Sequence, residues 1–189
     1  FPYTTLFRSR NNALAVATGE YIYFIDSDDY LQEDYLEKMY QAAEKSGAEV
    51  VYNCNITMFP KEKAVPLIIF EREGFYEIKN KIIKEILIAP WNKLIKKSLI
   101  IDKELRFSRC RFEDVTFYYS LISQIDKIYI INQSTYYYRQ RSNSDLGVLR
   151  RSKNFDTDFV TILEDVYNYL KKHNKLQSIP LPLLSLRWH

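Results

Sequence analysis

The sequence predicts a layered α/β fold, and three observations carry that prediction. Residues 13 to 55 alternate helix, strand, helix, strand, the pattern of a sheet covered by helices. The first strand, in YIYFID, is a run of β-branched and aromatic residues that hands the acidic tetrad Asp26-Ser27-Asp28-Asp29 to its carboxyl end. That is the end of a strand at which open α/β sheets gather ligands. Finally, 189 residues at 47% hydrophobic and 27% charged composition are enough for one domain with a sizeable core.

The elements follow in order. Ala13 to Thr18 reads as the end of a helix that Gly19 stops, ahead of the YIYFID strand. Leu36, Met39, Tyr40 and Ala43 recur at i, i+3, i+4 and i+7, with Glu33 and Asp34 in the first turn and Gly47 at the end, which predicts an amphipathic helix. EVVYNCN predicts a second strand. Between Met58 and Pro90 a subdomain insertion is expected, with a strand in PLIIFERE and a short helix from Ile78 to Ile88. WNKLIKKSLI follows without a clear period. Val115, Tyr118, Tyr119 and Ile122 then mark a helix opening at Glu113 and Asp114, and KIYIIN and STYYYRQR read as strands. From Asn154 to Lys172, Phe159, Ile162, Val166 and Tyr169 share one helical face, before the Pro-broken tail IPLPLLSLRWH.

Composition excludes several classes. A net charge of +3 is too mild to imply nucleic acid or membrane by itself, and leaves the partner open. Cys54 and Cys110 form no CxxC, and His173 and His189 have no spaced ligand partners, so neither a zinc site nor a disulfide framework is expected. No apolar run approaches the roughly 20 residues of a membrane span. A soluble chain in a reducing cytoplasm is the expectation. Lys81, Lys84, Lys93, Lys96 and Lys97 read as a solvated face, with peripheral contact to an anionic membrane surface as the alternative.

The first nine residues, FPYTTLFRS, stand apart. All nine can be encoded in one frame by a widely used sequencing-adapter oligonucleotide, so they are expected to be a foreign leader outside the fold, with native sequence from Arg10. An edge strand from Tyr3 to Phe7 is the alternative.

The chemistry concentrates in DSDD. Three carboxylates at one strand end repel one another unless a cation or donor groups share the site, and oxygen-only ligands suit Mg²⁺ or Mn²⁺ bridging to a substrate phosphate. The plain structural alternative is a turn that caps the next helix. An EF-hand is excluded because Tyr30 and Leu31 occupy its fifth and sixth positions and a strand precedes it. A haloacid-dehalogenase-like phosphotransferase also places DxD after an apolar strand, and remains a second enzymatic reading.

RNNALAVATGEYIYFIDSDDYLQEDYLEKM resembles the central block of family 2 glycosyltransferases of the GT-A fold, and AEVVYNCN, WNKLIKKSLI, FEDVTF and YYYRQRSNS extend the likeness in order. The resemblance runs from Arg10 to about Ser144; Asn12-Ala13 departs from the usual Asn-x-Gly. It implies a GT-A-like layered sheet that lacks its first N-terminal strands and much of the base-binding pocket, over residues 10–150, followed by a C-terminal helical extension over 151–189.

For the site, the resemblance implies that Asp26 and Asp28 meet the nucleotide-diphospho-sugar and its Mn²⁺ or Mg²⁺, with Asp28 the direct ligand and Asp29 orienting them. Arg10 lies near the nucleotide, and Arg139 or Arg141 offers forked donors to the pyrophosphate. In FEDVTF it places the general base at Asp114, with Glu113 beside it; both are also ordinary first-turn acids. The expected function is inverting, metal-dependent transfer of a sugar to a glycan or lipid-linked acceptor in cell-surface polysaccharide synthesis. A non-catalytic remnant of the fold is the alternative from another class. Nucleic acid is not an expected partner: RFSRCRF and YYYRQR mix bases and aromatics but match no RNA-recognition signature.

Overall fold

The computed structural model describes residues 6–59, 63–64, 70, 72–110, 112–140 and 155–179. Helix α1 (Leu6–Val16) leads into β1 (Tyr21–Tyr23), then β2 (Tyr30–Leu31) and α2 (Tyr35–Ser46). Strands β3 (Val50–Asn53), β4 (Ile56–Phe59), β5 (Lys63–Ala64) and β6 (Gly74–Glu77) precede α3 (Asn80–Glu85). Then come β7 (Lys93–Lys96), α4 (Lys97–Asp102), α5 (Glu113–Gln124), β8 (Lys127–Ile131), β9 (Tyr136–Arg139) and a long helix, α6 (Phe155–Lys172).

Five strands form the main sheet in the order β1-β7-β3-β8-β6, and four form a smaller one in the order β2-β9-β4-β5. Period-2 alternation sorts the side chains of β3. Val50 and Tyr52 join a core with α5 and with Ile162, Val166 and Leu170 of α6, whereas Val51 joins Tyr35, Met39 and Ala43 of α2 on the opposite face. The main sheet is therefore covered on both sides, which is the layered arrangement the alternation predicts. Helix α2 ends as its sequence dictates: Gly47 adopts φ 66°, open to residues without a Cβ, and its N–H donates to the Ala43 carbonyl at 2.8 Å.

The two sheets share their strands' course. β3 runs parallel to β8, and after a joint at Asn53–Asn55 the same chain runs parallel to β9 as β4. Asn53 is fully buried at this joint. Its Nδ2 donates to the Gln133 carbonyl at 2.6 Å, while its Oδ1 accepts the Asn55 N–H at 3.0 Å.

Several expectations are revised. Within WNKLIKKSLI, Lys93–Lys96 form a central strand, β7, lying antiparallel between β1 and β3. Lys93 is not on a solvated or membrane-facing surface: it is 1% exposed, and the rings of Tyr52 and Tyr118 lie beside its ammonium. The strand expected in PLIIFERE falls largely outside the described residues, and β6 lies just after it. The helix expected from Ile78 to Ile88 is shorter, at Asn80–Glu85. The boundary set at Arg10 falls inside α1, whose first turn is Leu6–Ser9, and Phe7 is buried in the core. Within α6 the side chains of residues 155–159, Phe159 included, are outside the description, as is the tail after Ile179. Among the described residues, no helix is long and apolar enough to cross a membrane.

Candidate active site

The DSDD segment turns back on itself as β1 ends, the Asp29 N–H donating to the Asp26 carbonyl at 3.1 Å. The turn is pinned to β9. The Tyr136 hydroxyl donates to Asp29 Oδ2, and the Arg139 backbone N–H donates to Asp29 Oδ1 at 2.7 Å. Arg139 Nε reaches back to the Asp28 carbonyl at 2.8 Å. Pairing of Tyr30 with Tyr137 and Leu31 with Tyr136 continues this attachment along β2. Burial pushes the Asp29 carboxyl above its ordinary pKa, and the Arg139 N–H and Tyr136 hydroxyl oppose that shift.

The second acidic pair opens α5. Glu113 and Asp114 lie in its first turn, where backbone N–H groups point at them. One guanidinium joins them to the first site: Arg10 Nη1 donates to Glu113 Oε1 at 2.7 Å and Nη2 to Asp26 Oδ1 at 2.9 Å. The Arg10 side chain is 15% exposed, Glu113 6% and Asp26 36%, so the fork sits at the boundary between core and solvent. Arg10 also lies 5.3 Å from the centre of the Phe107 ring. Its neighbour Asn11 clamps the Phe107 backbone, donating from Nδ2 to the carbonyl at 2.8 Å and accepting the N–H at 3.0 Å on Oδ1.

Environment separates the two acids on α5 from ordinary carboxylates. Burial, reinforced by the Asp114 charge and opposed by Arg10, pushes Glu113 up to about 7. Asp114 is also raised, by burial first, with Arg10 and the Val115 N–H acting against it. The Val115 N–H donates to Asp114 Oδ1 at 2.9 Å.

The structure thus brings Arg10, Asp26, Asp28, Asp29 and Arg139 to one turn and joins Glu113, with Asp114 next to it, through Arg10. Arg141 lies outside the described residues. Tyr136, Asn11 and Phe107 belong to the same constellation, although the sequence reading gave them no role. Tyr136 carried a signal in being one of three consecutive tyrosines on a strand, but nothing local says which ring turns inward. Among the described residues no group of three or more His, Cys, Asp or Glu side chains could hold a metal ion. Both Asp29 oxygens accept hydrogen bonds and Asp26 Oδ1 accepts one from Arg10; the other acids of the turn besides Asp29 are Asp26 and Asp28. A hard divalent ion that keeps waters and takes its other oxygens from a substrate phosphate needs only one or two carboxylates, so this pair fits such an ion.

The family model described as Glycosyl transferase family 2 matches residues 4–102, more than half of the chain. The chain belongs to this family. That membership sets aside the phosphotransferase reading, and the match takes in residues 4–9 of the segment expected to be a leader. Among curated relatives, the family 2 chain is 28% identical over 198 residues to the glycosyltransferase GlyG of Streptococcus pneumoniae, covering 96% of this chain and 62% of that protein. It is 27% identical over 179 residues to the cholesterol galactosyltransferase of Borreliella burgdorferi, covering 85% of this chain and 50% of that one. The chain therefore spans about half to three-fifths of these relatives' length. The solved structure of S. aureus TarS 1–349 in complex with UDP-GlcNAc superposes with a TM-score of 0.65 at 22% identity, over 84% of this chain and 46% of that one. At that identity the likeness establishes the GT-A fold.

Proposed function

We propose that this chain carries the donor-phosphate and general-base parts of an inverting glycosyltransferase that uses a nucleotide-diphospho-sugar. The observation that carries the proposal is the Arg10 fork, which holds Asp26 of the DSDD turn and Glu113 of α5 on one guanidinium. Residues 16 and 103 positions from Arg10 meet there, as a donor site and a base acting on the same anomeric carbon require. The solved TarS complex with UDP-GlcNAc supports a nucleotide-sugar donor.

Asp28, with Asp26, would hold Mg²⁺ or Mn²⁺, which supplies charge neutralisation to a departing nucleoside diphosphate. Asp29 keeps the turn in register through Tyr136 and Arg139. On α5 the labour divides: Glu113 is committed to Arg10, and Asp114 accepts the proton of the acceptor hydroxyl. As that oxygen bonds to the anomeric carbon, the bond from carbon to the phosphate oxygen breaks, and the nucleoside diphosphate leaves on the opposite face with inversion. Burial raises the Asp114 carboxyl above its ordinary pKa, which makes its ionised form a stronger proton acceptor. The acceptor is a glycan or a lipid-linked acceptor, a reading supported by a relative named a minor teichoic acid biosynthesis protein.

The test is release of nucleoside diphosphate from a panel of nucleotide sugars by the full-length protein, with water or added saccharides as acceptor. Asp114→Asn should lower turnover by roughly 10² to 10⁴ with little change in donor affinity. Asp28→Asn should weaken metal-dependent donor binding as well. Glu113→Gln should be milder than Asp114→Asn; the reverse order moves the base to Glu113, and unchanged turnover in both variants defeats the proposal.

A further inference from the structure

Lys93 is a charged residue at 1% exposure that the proposed mechanism does not use. Its Nζ donates to the carbonyls of Leu87 at 2.6 Å and Ala89 at 2.7 Å and to Asn92 Oδ1 at 2.9 Å, three acceptors for the three N–H bonds of an ammonium group. Its charge also lies 5.3 Å from the centre of the Tyr52 ring and 5.4 Å from that of Tyr118. A buried cation costs desolvation free energy, which these contacts offset, and a methylene-rich residue would fill the same space without that cost. The arrangement is worth its desolvation where it fixes a geometry that apolar packing leaves loose.

The geometry fixed is that of residues 87–92, a connection whose 3-10 turn, Pro90–Asn92, carries Trp91. The Trp91 carbonyl accepts a hydrogen bond from the Tyr23 hydroxyl at the end of β1. Its indole lies flat on Tyr136, with centroids 4.3 Å apart and planes 16° apart, and overlaps Tyr138 at 5.6 Å. Tyr136 is fully buried beneath it and gives its hydroxyl to Asp29. A continuous path of contacts thus runs from the Lys93 ammonium through the loop, Trp91 and Tyr136 to the DSDD turn. We infer that Lys93 is a positioning residue for that turn, setting the place of Asp29 through Trp91 and Tyr136. The inference takes its functional meaning from the reading of DSDD as the donor site, but its structural content stands apart from that reading.

Amide hydrogen exchange on the full chain tests it, comparing wild type, Lys93→Met, Tyr136→Phe and the double variant. In Lys93→Met the Asp29 and Arg139 amides should exchange about tenfold faster while amides of the β6–β8 pair stay within about twofold of wild type, as local opening rather than global unfolding requires. In the double variant those two amides should exchange no faster than in the more affected single variant, because both changes cut one path. Acceleration spread evenly over the sheet, no acceleration at Asp29, or additive effects would each overturn the inference. Should Lys93→Met fail to fold, Trp91→Leu leaves the lysine's bonds in place and must loosen the same two amides; unchanged exchange there overturns the inference equally. Calorimetry of the full-length wild-type protein with UDP and Mn²⁺ separates the two readings. Absence of binding counts against the donor-site assignment and leaves the exchange result standing.

Discussion

The DSDD turn and the start of α5 are built from the same residue types, yet they present opposite chemistry. In the turn, Asp29 is tied by a tyrosine hydroxyl and a backbone N–H, and Asp26 is 36% exposed beside a cation. On α5, Glu113 is 6% exposed and pushed up to about 7. Burial raises Asp29 as it raises Glu113, but at Asp29 the Arg139 N–H and the Tyr136 hydroxyl oppose the shift, whereas at Glu113 the Asp114 charge reinforces burial and Arg10 opposes it. Arg10 touches both regions, and the difference between them is held on its two nitrogens.

Removing that guanidinium is the strongest way to break the comparison. Arg10→Met leaves Glu113 buried without its cation and should cost about 3 kcal/mol at pH 8, read from denaturant unfolding. At pH 5 Glu113 is protonated with or without Arg10, so the loss should be much smaller there. An equal loss at both pH values would mean that Arg10 acts through packing on Phe107 alone.

The pH dependence of the unmodified protein sharpens the point. Glu113 has its folded pKa raised from 4.5 to about 7, so the folded state holds the proton more tightly than the unfolded chain. Its contribution to stability is fully present below about 4.5 and is lost as pH rises through about 7; Asp114 shifts in the same direction. Melting temperature followed from pH 4 to 8 should therefore fall more steeply in wild type than in Glu113→Gln. Parallel curves would remove Glu113 from the account.

On the other side, Asp29→Ala leaves the Tyr136 hydroxyl buried without its acceptor and should cost about 1–2 kcal/mol with no comparable pH slope near neutrality. The mildest change is deletion of residues 1–9, which removes the burial of Phe7 and should lower stability by about 1–2 kcal/mol, less than a core Phe→Ala because a helix end can fray. A melting temperature unchanged by the deletion would place that segment outside the working fold, as expected of a foreign leader.

Much of this was legible wherever a period or a stop signal was strong. The spacing of Met39 and Ala43 and the glycine at position 47 fix α2, and DSDD sits at a strand's carboxyl end as the hydrophobic run before it requires. The strand in WNKLIKK was not legible, because a lysine at its start is buried and the usual reading of basic residues as solvated hides it. Nor could the sequence disclose the bond of Tyr136 to Asp29, 107 positions away, or the choice of Glu113 over Asp114 as the partner of Arg10. Such contacts depend on the course of the whole chain, and no local propensity encodes them.

The parallel course of β3–β4 beside β8–β9 has a consequence for the order in which the molecule is made. Parallel partners cannot meet through a tight hairpin, and Asn53 and Gln133, at the joint, are 80 positions apart. Closing so long a loop is the slow kind of folding event. As synthesis runs from the amino end, the DSDD segment emerges long before Tyr136 and Arg139, and until β9 arrives Asp29 lacks the hydroxyl and the N–H that hold it. A nascent chain halted just short of Tyr136 would contain every acidic residue of the site and still lack the site itself.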